Sequence, residues 1–130
     1  MLLTLSILDE TTAGERQSAG AFHFDRAALT LRDIIRLRVQ QEVERFNQSD
    51  IEVFRGLVRP EETERILNSV REFRPILDPD KQCAKAIRAF EGNGFLVFVD
   101  DCQIASLDEP VELTAQTQLS FLKLVPLIGG

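Results

Sequence analysis

The chain opens on a two-residue period. Leu3, Leu5 and Ile7 alternate with Thr4 and Ser6, which predicts a half-buried strand over residues 2–8. Asp9 to Gly20 is polar and contains Gly14 and Gly20, so a loop is expected there. Ala21-Phe22-His23-Phe24 alternates again and predicts a second short strand, joined to the first as an antiparallel hairpin with a long connection. The period then lengthens. Leu31, Ile35, Val39, Val43 and Phe46 recur every three or four positions, the apolar stripe of a helix, with Ile34 and Leu37 on its flanks. Thr30 is the expected cap, and Asp33 stands where a capping box carries Glu or Gln. Arg32, Arg36, Gln40, Glu44 and Arg45 lie off the stripe, and Asn47-Gln48-Ser49 ends the helix.

Residues 49–92 are denser in charge and helical in pattern. Arg59-Pro60-Glu61-Glu62 reads as a helix start, with Pro near the first position and acids in the first turn. Ile66, Leu67, Val70 and Phe73 follow as its apolar face, and Pro75 stops it. Asp78-Pro79 starts a further helix carrying Cys83, Ala84, Ile87 and Phe90, which Gly92 and Gly94 end. Strands then return. Phe95–Val99 is a continuous apolar run, expected for a strand covered on both faces. Asp100-Asp101 marks a turn, Gln103-Ile104 and Pro110–Leu113 are short extended pieces, and Leu119–Val125 is the final strand. Two strands, a helix, a helical insertion and further strands predict an α+β fold in one domain spanning residues 1–130.

Composition narrows the function classes. With 44% hydrophobic residues the chain has enough apolar material for a core. The net charge of −6 argues against nucleic acid or an anionic membrane as the main partner, since both select basic surfaces. No apolar run reaches the length of a membrane span. The N-terminus alternates and has no basic leader, so it reads as a strand and not as a signal peptide. Cys83 and Cys102 form no CxxC pair, which fits free thiols in a reducing cytoplasm.

Catalytic chemistry finds little support. His23 is the single histidine, so no multi-histidine metal cluster can form, and its alternation with Phe22 and Phe24 makes it a solvated strand residue. Cys83 on its helical face reads as packing, and Cys102 follows two acids, a neighbourhood unsuited to a nucleophile. Asp100, Asp101, Asp108 and Glu109 lack the spacing of a calcium loop and read as turn acids. Arg32, Arg36 and Arg38 read as a solvated helix face. The expectation is a protein that is not an enzyme and holds no metal or cofactor.

The C-terminus is more distinctive. Pro126 cuts off the final strand, because it has no N–H to give a ladder. Leu127 and Ile128 follow, then Gly129 and Gly130. Glycine lets backbone approach backbone closely, which suits a tail threaded through a narrow channel to a reactive centre. Leu119 to Gly130, LSFLKLVPLIGG, resembles the C-terminus of ubiquitin-like proteins and of the thiamin and molybdopterin sulfur carriers. The opening strand pair and the Thr30-Leu31-Arg32-Asp33-Ile34-Ile35 helix start are similar as well. The likeness covers residues 1–47 and 93–130 and is nearest to the bacterial ubiquitin-like modifiers.

The resemblance implies a β-grasp fold in which the first and last strands pair in parallel and the helix lies on one sheet face. Residues 49–92 depart from it as a helical insertion between the main helix and the third strand. It implies that the Gly130 carboxylate is adenylated by an ATP-dependent activating enzyme, passed to an enzyme cysteine and joined to a target protein. Gly129 and the flexible tail Val125, Pro126, Leu127 and Ile128 would be its approach. A conjugating enzyme and a deconjugating protease would complete the partners. Two alternatives stay open: a sulfur carrier with a thiocarboxylate at Gly130, and a non-covalent binding module with an idle tail. The three lysines, Lys81, Lys85 and Lys123, leave few sites for self-linkage.

Overall fold

The computed structural model describes residues 2–48, 56–58 and 76–124. The helix expected from Arg59 to Phe73 and the tail Val125–Gly130 lie outside the described residues. The fold is α+β, and the described residues form a mixed five-stranded sheet, a two-stranded sheet and two helices. In chain order these are β1 (Leu3–Thr11), β2 (Arg16–Phe24), β3 (Ala28–Thr30), α1 (Leu31–Gln48), α2 (Pro79–Glu91), β4 (Phe95–Val99), β5 (Cys102–Ile104), β6 (Pro110–Glu112) and β7 (Leu119–Lys123). The large sheet has the order β2-β1-β7-β4-β5. β1 and β7 run parallel at its centre, as the resemblance implies, and its other pairings are antiparallel. The backbone divides into two compact units, residues 1–34 with 89–130, and residues 35–88. The second unit takes in most of α1, not only the residues after it.

In the first unit one face of the sheet is buried. Leu3, Leu5 and Ile7, Phe22 and Phe24, Phe95, Val97 and Val99, and Leu119 and Phe121 all point to it. The alternation along each strand follows from the two-residue period of the pleat. The rings of Phe90, Phe95 and Phe121 form a tilted chain, with centroids 5.8 Å apart at each step. The apolar run Phe95–Val99 differs from expectation: Leu96 and Phe98 are half-buried, so the strand is fully covered on one face only.

The first hairpin is longer than its pattern. β1 continues to Thr11, β2 begins at Arg16, and the connection is a four-residue turn. Asp9, Glu10, Gln17 and Ser18 pair in register but are polar, so no alternation marks them. Gly20, with φ of 107°, sits at a register shift: Ile7 pairs with Gly20 and Leu8 with Ser18. It therefore serves a β-bulge and does not end a loop.

Thr30 ends β3 and caps α1. Its N–H donates to Asp33 Oδ2 and its Oγ1 accepts from the Asp33 N–H, each at 3.2 Å, a complete capping box. The next two helix N–H groups, of Leu31 and Arg32, donate to the carbonyls of Glu109 and Leu107. β3 pairs with β6 beside this cap, Leu29 against Val111. Burial tends to raise the Asp33 pKa, but the Thr30 hydrogen bonds and the Arg26 guanidinium outweigh it and hold it below the ordinary 3.8. A lowered folded pKa adds stability above the unfolded value, which is lost as pH falls through the folded one. Thr30→Ala or Asp33→Ala is expected to cost about 1 kcal/mol at neutral pH, read by urea denaturation. The Asp33→Ala deficit should begin to shrink as pH falls below about 4, the unfolded value, and reach its minimum only once pH is below the lower folded one.

Five stripe residues of α1, Leu31, Ile35, Val39, Val43 and Phe46, are buried, as is Ile34. Arg38 corrects the solvated-face expectation: it is 1% exposed. It stands seven residues after Leu31 and four after Ile34, so helix geometry puts it on the apolar side. Its Nη2 lies 3.3 Å from Glu42 Oε2, and Glu42 Oε1 accepts the Leu57 N–H at 2.9 Å.

Other side chains tie the second unit together in the same way. Gln82 Nε2 donates to the Val58 carbonyl at 3.2 Å. Asn47 accepts the Leu77 N–H at 2.9 Å and donates to the Leu77 carbonyl at 3.1 Å. Asn47→Ala would leave both backbone groups of buried Leu77 without these partners, at an expected cost of about 1–3 kcal/mol. Hydrogen exchange should show the loss as faster exchange at the Leu77 amide.

On α2, Cys83 and Ala86 are buried while Ala84 is exposed, one turn-step away from its expected face. The helix ends through Asn93 and not through the two glycines alone. Asn93 takes φ of 60°, its N–H donates to Phe90, and the Gly94 N–H donates to Ala89 at 2.7 Å. This is a Schellman stop, in which a residue in the left-handed region reverses the chain. Gly94 permits the close approach, since a Cβ there would lie 3.1 Å from the Ala89 carbonyl oxygen.

Candidate functional site

The expected reacting residue, Gly130, its neighbour Gly129 and the approach Val125, Pro126, Leu127 and Ile128 lie outside the described residues. The strand that leads to them is described in full. β7 occupies the middle of the sheet because its apolar face, Leu119 and Phe121, is fully buried and both of its edges find partners. Its ladder continues past its own end. The Thr12 N–H donates to the Lys123 carbonyl at 3.3 Å, and the Leu124 N–H donates to the Gly94 carbonyl at 3.1 Å. Leu124 is therefore held from the α2 stop and Lys123 from the β1–β2 turn. Beyond it, six residues can reach at most about 20 Å when extended.

Charge around this root is paired. Lys123 Nζ lies 3.7 Å from Asp9 Oδ2, and Arg16 Nε lies 2.7 Å from Glu10 Oε1. The less-buried sheet face changes character along its length. Nearer the end of β7, Leu8, Leu96, Phe98 and Leu122 are half-buried, with Leu96 directly paired to Leu122. Farther back, Thr4, Ser6, Thr117, Gln118 and Ser120 line an open groove of about 700 Å³, which Arg16 also borders. Leu5, Leu8, Ala115 and Leu119 line the groove as well, so its walls are apolar and polar in equal part.

The remaining candidates take structural places. His23 is exposed on β2 while Phe22 and Phe24 are fully buried, and its Nδ1 is 2.9 Å from Thr4 Oγ1. Cys83 is buried, and burial pushes its thiol pKa up, with Asp80 adding to the rise and Arg36 opposing it. Its Sγ is 3.7 Å from the Arg36 carbonyl, a packing position. Cys102 is exposed and unbridged. Asp100 and Asp101 form the two-residue turn between β4 and β5, with φ of 49° and 68°. Asp100 Oδ1 accepts the Gln118 N–H and the Asp100 N–H donates to the Gln118 carbonyl, each at 2.9 Å, so this acid braces a turn. Asp108 faces Arg32 at 3.6 Å. Among the described residues no three His, Cys, Asp or Glu side chains converge as metal ligands, and no helix is long and apolar enough to cross a membrane.

The root of the tail was the part that sequence patterns did not mark. Thr12 and Gly94 contribute backbone groups, and Asp9 meets Lys123 only through the parallel register of β1 and β7. Comparison of the chain with protein-family models, with curated proteins and with solved structures finds no match.

Proposed function

We propose that this chain is a ubiquitin-like protein modifier of the bacterial kind, built on a β-grasp fold. One combination carries the proposal. The sheet has the order β2-β1-β7-β4-β5 with parallel central strands, and the strand at its centre runs directly into Val-Pro-Leu-Ile-Gly-Gly.

In this role the Gly130 carboxylate attacks the α-phosphorus of ATP held by an activating enzyme, and pyrophosphate leaves. An enzyme cysteine thiolate then attacks the acyl adenylate and AMP leaves, and a target amine attacks the resulting thioester, releasing the cysteine thiol as the amide forms. Gly129 and Gly130 keep Cβ atoms out of the channel, and Leu127 and Ile128 supply apolar grip. The band of Leu8, Leu96, Phe98 and Leu122 beside the root would be a docking face for these partners. A conjugating enzyme and a deconjugating protease complete the set, in the cytoplasm where ATP is supplied.

Incubation with the cognate activating enzyme and ATP, followed by intact mass spectrometry and gel analysis, tests this. Larger covalent species through Gly130 are expected. An oxygen-to-sulfur exchange at Gly130 would replace the modifier role with that of a sulfur carrier. An unchanged mass with activity retained would leave a non-covalent binding module.

A further inference from the structure

All three lysines lie among the described residues, and they are three of the fifteen basic residues. The others are arginines, whose guanidinium keeps its proton at neutral pH and is a poor acceptor for an acyl group. The three amines differ sharply in surroundings. We infer that Lys81 is the one side-chain amine of this chain open to acylation, whether by the activated carboxyl of another copy or by a comparable acyl donor. The enzymatic form of this inference rests on the modifier role; the chemical form does not.

Lys123 sits in the central strand, in register with Thr11 on one side and Phe95 on the other. Its side chain is 37% exposed and its ammonium faces the Asp9 carboxylate at 3.7 Å. Its backbone is fixed by the bond from Thr12. Lys85 is half-buried on α2 and already engaged with a partner. Lys81 is exposed on the first turn of α2. Among the described residues no carboxylate pairs with it. That turn is firmly placed: the Asp78 carboxylate accepts the Asp80 N–H at 2.9 Å and the Asp78 carbonyl accepts the Gln82 N–H at 3.1 Å. Gln82 and Cys83, the next two residues, are buried and fix the helix face that Lys81 turns away from.

Acylation needs a neutral amine whose lone pair can approach a carbonyl carbon. The Lys81 ammonium gives its proton to solvent, and its nitrogen attacks the C-terminal thioester carbonyl. The N–C bond forms, the C–S bond breaks, the enzyme thiolate leaves, and the second amine proton passes to that thiolate or to solvent to give the neutral amide. Lys123 would first have to give up Asp9 and leave the strand surface, which a partner pair of this kind slows by about two- to five-fold before any steric cover is counted.

Brief treatment of the folded protein with limiting acetyl N-hydroxysuccinimide ester, followed by peptide mass spectrometry, measures the three rates. Lys81 is expected to react about threefold or more faster than Lys123 and Lys85. Denaturant should equalise the three, and Asp9→Asn should speed Lys123 in the folded protein. Equal rates at Lys81 and Lys123, or at Lys81 and Lys85, in the folded chain overturn the inference. In a reaction with activating enzyme and ATP, Lys81→Arg should remove self-linked species and keep conjugates to other proteins. Self-linked species that survive Lys81→Arg overturn it too. If no thioester forms at all, the modifier role fails while the labelling ratio still decides this inference.

Discussion

Removal of Gly129 and Gly130 is expected to abolish every ATP-dependent covalent product and to leave thermal unfolding unchanged. The truncated chain would end at Ile128, whose carboxylate falls about 7 Å short of the original one. It would also carry a β-branched side chain into a channel shaped for bare backbone. Gly130→Ala is the finer probe, because it keeps the length and adds one methyl group. A misplacement of about 1 Å at a reacting centre can cost on the order of a hundredfold, and a loss of that size in thioester formation is expected. Stability should not follow, since the last buried core residue described is Phe121. Covalent products persisting in the truncated chain would refute the modifier and carrier roles together.

Phe121→Ala should be the most damaging single change to the fold. The ring is fully buried on the central strand, with its centroid 5.8 Å from that of Phe95. Truncation removes this contact and leaves a void between strands paired on both sides. Such changes cost about 3–5 kcal/mol, against a total stability of about 5–15 kcal/mol for an ordinary domain. The urea midpoint should fall steeply, or the chain should fail to fold. Phe98→Ala is the matched control. It lies two strand positions from Leu96 on the less-buried face, paired with Ser120, and should cost about 1 kcal/mol. Equal losses at the two phenylalanines would show that the assignment of sheet faces is wrong.

These faces were only partly legible in the sequence. Where one side of a strand is buried and the other solvated, as at Leu3 to Ile7 or Phe22 to Phe24, alternation states the answer directly. Where both sides are wet, as along Asp9–Glu10 and Gln17–Ser18, a strand leaves no periodic mark, and the hairpin there reads as a loop. β3 and β6 have three residues each, and their pairing joins distant parts of the chain. Arg38 misleads for a different reason. Its charge suggests solvent, but its position relative to Leu31 and Ile34 already places it inside, and Glu42 makes that tolerable. The tail could be singled out from residue types because Pro, Gly and a preceding apolar strand have local meaning. The groups that hold its root could not, since Thr12, Gly94 and Asp9 acquire that role only through register.

The parallel pairing of β1 and β7 has a consequence for synthesis. Residues 3–11 are made long before their inner neighbour, residues 119–123. On the ribosome β1 and β2 can form their hairpin early, but the sheet cannot close until residues 119–123 have emerged. Such long-range closure is intrinsically slow and leaves an unpaired inner edge on β1 meanwhile. β4 waits in the same way on the other side of the gap. The nascent chain is thus two incomplete half-sheets that β7 joins, and the strand that acts as keystone is the one immediately ahead of the tail proposed to react.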